Sequence, residues 1–176
     1  MIGDDSLTIY PRKGEEYLFD RKLEGLVTRT IFPLPSKVSK GILVIPTVDG
    51  NIMIGPTAHR VATYDLHTTL SGWNEVFSEA KKLVPTLRAA DLITAFAGLR
   101  AVGNTGDFII SPSPISPRFI NAAGIESPGL TAAPAIAEYI AELIKEAGLD
   151  LKLKRDFNPR RSVVRLRDLS SEEQAE

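Results

Sequence analysis

The spacing of the glycines constrains this chain more than any other feature. The thirteen glycines fall at positions 3, 14, 25, 41, 50, 55, 72, 98, 103, 106, 124, 129 and 148. No two are separated by a single residue, so a G-x-G-x-x-G turn, the backbone cradle of a dinucleotide-binding βαβ unit, cannot form anywhere in the 176 residues. Three pairs have the spacing of a P-loop. Gly55, Gly103 and Gly129 are nevertheless followed by Pro56, Asn104 and Leu130 where the phosphate-binding lysine is required. Cysteine is absent altogether, which excludes disulfides, thiol nucleophiles and cysteine-held metal clusters together. The remaining composition is that of a globular chain. A hydrophobic share of 43% supports a packed core, and a net charge of −1, from 21 Lys and Arg against 22 Asp and Glu, argues against a broad nucleic-acid surface. No apolar run approaches the roughly 18 residues of a membrane span. Met1-Ile2-Gly3-Asp4-Asp5 does not read as a signal peptide, so a cytoplasmic location is the expectation.

Along the chain the first third reads as β. Leu7–Tyr10, Glu16–Phe19 and Val27–Phe32 are rich in strand formers and are separated by Pro11-Arg12-Lys13-Gly14 and Pro33-Leu34-Pro35. Ile42–Ile45 and Ile52–Ile54 flank Asp49-Gly50, a strong hairpin signal, and together these segments predict an antiparallel meander. A helix follows over about 70–84, where Trp73, Val76, Phe77, Ala80, Leu83 and Val84 recur at helical spacing, with Thr69 or Ser71 as the cap and Pro85 as the stop. Leu92–Ala97 and Phe108–Ile110 read as strands, and Ser111–Pro117 as a rigid connector. A second helix is expected from about Thr131 to Ala147. Ala133, Ile136, Ala137, Ile140, Leu143 and Ile144 form its buried stripe, and Gly148 ends it. From Asp150 onward Lys152, Lys154, Arg155, Arg160, Arg161, Arg165 and Arg167 alternate with apolar residues, the pattern of a solvated edge strand running into a linker. The fold class expected is α+β, an antiparallel sheet with a flanking helix followed by a strand, a turn and a helix.

Three places carry candidate chemistry. The turn Gly124-Ile125-Glu126-Ser127-Pro128-Gly129-Leu130-Thr131 opens the second helix. Its glycines permit close backbone approach, and the helix N-terminus aims free N–H groups at an anion or an electron-rich ring edge. The same pattern also suits a plain β-to-α turn capped by Ser or Thr. Arg100 follows a strand beside the small pair Ala97-Gly98 and is placed either to clamp a carboxylate or phosphate or to pair with a surface acid. His59 and His67 flank a loop. Neither belongs to an H-x-x-x-H pair, and each suits a solvated loop position better than the role of a general base. No G-x-S-x-G elbow is present for hydrolase chemistry.

Lys13-Gly14-Glu15-Glu16-Tyr17-Leu18, Pro46-Thr47-Val48-Asp49-Gly50-Asn51 with Gly55-Pro56-Thr57, Phe96-Ala97-Gly98-Leu99-Arg100 and Asn121 through Thr131 occur in that order over residues 10 to 148. In that order and spacing they resemble the FAD-dependent oxidoreductases of the D-amino-acid-oxidase type, and within them the glycerol-3-phosphate dehydrogenase and L-2-hydroxyglutarate oxidase branch. The resemblance implies a substrate domain over 1–110, the last strand, turn and helix of an incomplete Rossmann-like FAD domain over 117–148, and a tail or linker over 150–176. It implies that Arg100 binds a small anionic substrate near the flavin, and that Gly98, Gly124, Ser127, Gly129, Leu130 and Thr131 line the cofactor. No catalytic residue is assigned. The family's dinucleotide fingerprint lies upstream of the matched segments, so the chain is expected to be part of a longer enzyme, inert on its own and without stably bound FAD. The alternative expectation is a non-catalytic assembly module that self-associates through Ile136, Ile140 and Ile144.

Overall fold

The computed structural model describes residues 3–34, 41–62, 64–160 and 163–174. Its organising element is one long strand, β1 (Ile9–Phe19), where the sequence predicts two short ones. Pro11 interrupts the expected pattern because proline brings no N–H to a ladder. Here the carbonyl of Pro11 accepts from Val61 N at 3.2 Å, just past β4 (His59–Arg60), so the missing donor falls where that neighbouring strand has ended. β5 (Leu92–Gly103) pairs antiparallel with β1 along its whole length. It therefore runs on through Gly98-Leu99-Arg100 instead of stopping at Ala97, and Arg100 lies within the strand. On the other edge β1 pairs with β3 (Ile52–Gly55) and β4, and β2 (Leu43–Pro46) completes a five-stranded antiparallel sheet. The expected hairpin joins β2 to β3. Gly50 at φ +86° makes the turn that Asp49-Gly50 announces, and Thr47 and Asn51 close it with a 2.9 Å backbone hydrogen bond. Val27–Phe32 is not a strand; only Ile31 bridges Val44. Pro35 of the expected break and Arg161 of the tail lie outside the described residues.

Successive residues of a strand point to opposite faces, so β1 divides its side chains between two tasks. Lys13, Glu15, Tyr17 and Phe19 face α1 (Leu70–Leu83), the first expected helix. Tyr17, Phe19, Val44, Ile52 and Ile54 close with Val76, Ala80 and Leu87 into a buried core. Trp73 and Phe77 stack across it with ring centroids 4.5 Å apart. Thr69 caps α1 by accepting from Gly72 N at 2.9 Å, and Glu15 reaches the same end of the helix, accepting from Thr69 N at 2.7 Å and from Tyr17 Oη at 2.8 Å. The other face of β1 carries Tyr10, Arg12, Gly14 and Glu16.

β6 (Ile109–Pro112) and β7 (Ile120–Ala123) form a separate antiparallel ribbon against which α2 (Gly129–Glu146) packs. α2 begins two residues earlier than expected, and Gly148 at φ +94° terminates it. Its stripe is only partly covered: Leu143 is buried, Ile136, Ile140 and Ile144 are half-buried, and Ala133 and Ala137 are exposed. Beyond Asp150 the expected edge strand is absent among the described residues, which are almost all exposed and include one short 3₁₀ turn at Leu166–Asp168. No described helix is long and apolar enough to cross a membrane.

Candidate functional site

The register of the sheet builds the site. Arg60 of β4 and Arg100 of β5 stand directly opposite Arg12 of β1 on its two sides, so three arginines form a row across one face. Like charges placed opposite one another destabilise a sheet unless counter-charge is supplied. Each guanidinium meets different company. Arg60 is exposed and lies over the Tyr10 ring, 4.1 Å from its centroid. Arg12 pairs with Glu126, its Nη2 donating to the carboxylate, while its Nε is buried without a partner. Arg100 is half-buried, and its Nη1 donates to the Thr57 carbonyl at 3.3 Å; among the described residues no carboxylate lies within ion-pair distance of it. Burial first, and the neighbouring charge of Arg12 second, lower its pKa from the ordinary guanidinium value, partly offset by Glu16 and Glu126. The Glu16 carboxyl, on the same face, is raised by burial against the pull of Arg100.

Two glycines shape the floor. A methyl group on Gly14 would stand 2.5 Å from Arg100 Nη2, so the guanidinium lies flat over bare backbone. Opposite it, Gly98 is exposed, with open space where a side chain would be. The site is therefore a flat patch of main chain with, at its edge, a cation that Glu16 and Glu126 offset only in part.

The turn before α2 adjoins this face through the Arg12–Glu126 pair. Gly124 takes φ +64° and packs on Gly103, where a methyl group would come within 3.2 Å of the Gly103 backbone, and Gly129 packs under Ile125. Both missing side chains are thus filled by the protein itself, whereas the sequence reading assigned that space to ligand approach. What the turn does offer is donors. Pro128 precedes α2 and supplies no side-chain cap, so first-turn N–H groups at Leu130 and Thr131 have no intrahelical acceptor, and Ser127, Leu130 and Thr131 are exposed. Clefts of about 320 Å³ and 340 Å³ flank the turn, the first lined by Ile125 through Thr131 and the second by Gly103, Phe108, Gly124 and Glu126 among others. An electron-rich ring edge suits this arrangement.

The histidines stand elsewhere. His59 lies opposite Lys13, on the α1 face, and its Nε2 is 2.7 Å from Glu75 Oε2. His67 is exposed beside Asp65, 2.7 Å away. Lys13, buried between Glu15 and Asp65, has its pKa raised by its hydrogen bond to Asp65, and the Asp65 carboxyl is lowered by the backbone N–H of His67 and by Lys13. These charges serve the α1 side and do not face Arg100. Among the described residues no cluster of His, Cys, Asp or Glu is assembled to hold a metal ion. Arg12 and Glu126 were not singled out as site residues from the sequence. Reading Pro11–Gly14 as a break hid the alternation of Tyr10, Arg12, Gly14 and Glu16 that puts Arg12 on the Arg100 face.

Residues 1–143 match the model of the FAD dependent oxidoreductase family. The chain belongs to this family. A glycerol 3-phosphate dehydrogenase of Caloramator mitchellensis is 43% identical over 178 residues, covering 100% of this chain and 37% of the relative. A glycerol 3-phosphate oxidase of Mycoplasma genitalium is 36% identical, covering 84% of this chain and 38% of the relative. The solved structure of an L-α-glycerophosphate oxidase from Mycoplasma pneumoniae with FAD bound superposes with a TM-score of 0.82 at 29% identity, covering 92% of this chain and 42% of that one. Glycine oxidase from Geobacillus kaustophilus, at 22% identity and a TM-score of 0.70, shares the fold. The chain thus spans about two fifths of the length of these relatives. It has an antiparallel sheet and a strand, turn and helix, and its sequence contains no G-x-G-x-x-G.

Proposed function

We propose that this chain forms the substrate-binding face and the flavin-edge turn of an FAD-dependent enzyme that oxidises glycerol 3-phosphate. The observation that carries the reading is Arg100, a half-buried guanidinium that lies over the bare backbone of Gly14 and has no carboxylate within ion-pair distance among the described residues. On this reading residues 1–110 hold the substrate, 117–148 meet the cofactor, and 150–176 are a tail. A planar fork of donors matches a phosphate bidentately, and partial burial strengthens the attraction. The open main chain at Gly98, beside the guanidinium that covers Gly14, leaves room for a small polyol. The N–H groups of Leu130 and Thr131, with exposed Ser127, suit the acceptor-bearing edge of the isoalloxazine ring, while Gly124 and Gly129, packed on Gly103 and Ile125, shape the turn that presents them. When bound, FAD supplies the two-electron acceptor. Donors preset at a helix N-terminus need no rearrangement as negative charge develops against them.

An acidic 2-hydroxy acid is the second reading. An L-2-hydroxyglutarate dehydrogenase of Arabidopsis thaliana is 27% identical over 130 residues, and a carboxylate also fits the Arg100 fork. Steady-state kinetics of the FAD-loaded enzyme decide between them. Arg100→Ala is expected to lower kcat/KM for glycerol 3-phosphate about a hundredfold, the scale of losing one partner of a partly desolvated charge pair. Unchanged KM and kcat in that variant would remove the substrate role of Arg100. Turnover of L-2-hydroxyglutarate but not glycerol 3-phosphate by the wild type would establish the second reading.

A further inference from the structure

The row Arg60–Arg12–Arg100 leaves one question that anion binding at Arg100 does not answer: why its middle member is committed to Glu126. We propose that Arg12 is a positioning residue that holds the Glu126 carboxylate away from Arg100, keeping the Arg100 fork open to a phosphate-bearing substrate. The inference rests on the glycerol 3-phosphate reading for the identity of the anion, but its geometric half stands on this chain alone.

Glu126 is three-quarters buried in the turn before α2, and its side chain is 24% exposed. A carboxylate so placed favours a cationic partner, since an unpaired charge there loses hydration without replacement. Its present partner is Arg12. The next guanidinium on the same face is that of Arg100, directly across the β1–β5 ladder. Cβ atoms of directly opposed residues lie roughly 5 Å apart, a distance that long side chains span easily. Among the described residues Arg100 is held by the Thr57 carbonyl alone, at 3.3 Å, and its guanidinium has donors left for a carboxylate. Glu126 already acts electrostatically on Arg100, as does Glu16. Of the other charged groups near this face, Arg60 is occupied by Tyr10, whereas Lys13 and Glu15 point to the α1 side. Without Arg12, the internal carboxylate would seat itself where the substrate anion belongs.

A charge-for-charge exchange tests this. Removing Arg12 alone, in Arg12→Gln, is expected to weaken binding of glycerol 3-phosphate, and of inorganic phosphate as a second probe, about tenfold, the low end of close charge-pair couplings. Kd is read by calorimetry on the FAD-loaded enzyme. KM should rise by the same factor while kcat changes far less, because the chemical step keeps its donors. The double variant Arg12→Gln/Glu126→Gln is expected to return to within about threefold of wild type, since the competing carboxylate is gone. Arg12→Lys should recover most of the affinity. A merely structural role would instead lower kcat and KM effects together and would not be rescued by a second substitution. An Arg12→Gln protein that binds both anions as wild type does, or a double variant as weak as the single, overturns the inference. The crystal structure of Arg12→Gln keeps this separate from the substrate reading. Glu126 within hydrogen-bond reach of Arg100 supports the guard role even if glycerol 3-phosphate proves not to be the substrate, and Glu126 turned to solvent overturns it.

Discussion

The sheet with α1 and the ribbon with α2 are built from similar material and reach different degrees of closure. In the first, Phe19, Val44, Ile54, Val76, Ala80 and Leu87 are wholly excluded from solvent. In the second, one large apolar side chain of α2, Leu143, is buried, while Leu130 is 93% exposed and Ile136, Ile140 and Ile144 are half-covered. The donors proposed to meet the cofactor sit on the open unit, and the cation proposed to meet the substrate sits on the closed one. Their relative placement depends on few contacts, of which Arg12–Glu126 and the Gly103–Gly124 backbone approach are the clearest. Burial is concentrated in the sheet, and the Arg12–Glu126 pair and the Gly103–Gly124 approach tie the turn to it.

The largest effect that would break this comparison is in the closed core. Phe19→Ala removes a fully buried ring that faces both Trp73 and Phe77, and is expected to cost about 3–5 kcal/mol, read as a lowered urea midpoint. A loss below about 1 kcal/mol would mean that the sheet unit is packed no better than α2.

Next in size is acid sensitivity, which should belong to the closed unit. Burial alone would push the Glu15 carboxyl up, but hydrogen bonds from Thr69 N, Tyr17 Oη and Thr69 Oγ1, together with the charge of Lys13, bring it below its ordinary value of 4.5. Asp91, held by Lys22 and Arg88, is likewise lowered from 3.8. A carboxyl with a depressed folded value stabilises fully above its unfolded value, and that stability is lost as pH falls through the folded one. Stability is therefore expected to be flat from pH 7 to about 5 and to fall below about pH 4.5. In Glu15→Gln the fall should be shallower. An unchanged acid limb in that variant would show that the buried carboxylate does not couple the sheet to α1.

How much of this was legible in the sequence follows the same divide between local and non-local cause. Asp49-Gly50 announced its hairpin and Thr69 its helix, because turn and cap chemistry act within a few residues. The glycine spacing rules out a dinucleotide loop because that signal too is confined to a few adjacent residues. The passage of β1 through Pro11–Gly14 was not legible, since it depends on β5 pairing along all of it and on β4 ending beside Pro11. Arg100 was legible as a candidate cation, but its place inside a strand was not, and the row with Arg12 and Arg60 exists only through register. The α2 stripe had the right period, yet periodicity says which residues share a face and nothing about what covers it.

The finest comparison sets two glycines against each other. Gly72, in the first turn of α1, faces the carboxylate of Glu15, and Gly14, on β1, faces the guanidinium of Arg100. A methyl group at Gly72 would collide with a carboxylate fixed by Thr69, Tyr17 and Lys13, so it could move aside only by breaking those contacts. Gly72→Ala is thus expected to cost about 1–3 kcal/mol through the lost hydrogen bonds of the helix end. The methyl group at Gly14 meets the far end of a flexible side chain that is half-exposed and held by one 3.3 Å hydrogen bond, so Arg100 swings aside at small cost in stability. Gly14→Ala should therefore leave the urea midpoint within about 0.5 kcal/mol of wild type, the range of substitutions away from packed features. It should nonetheless raise KM for the anionic substrate several-fold. The same atom added on the two faces of one strand would then separate what holds the sheet to its helix from what aims the cation. If Gly14→Ala instead destabilises as much as Gly72→Ala while KM stays put, the Arg100 face is part of the scaffold, and the division drawn between the two faces of β1 fails.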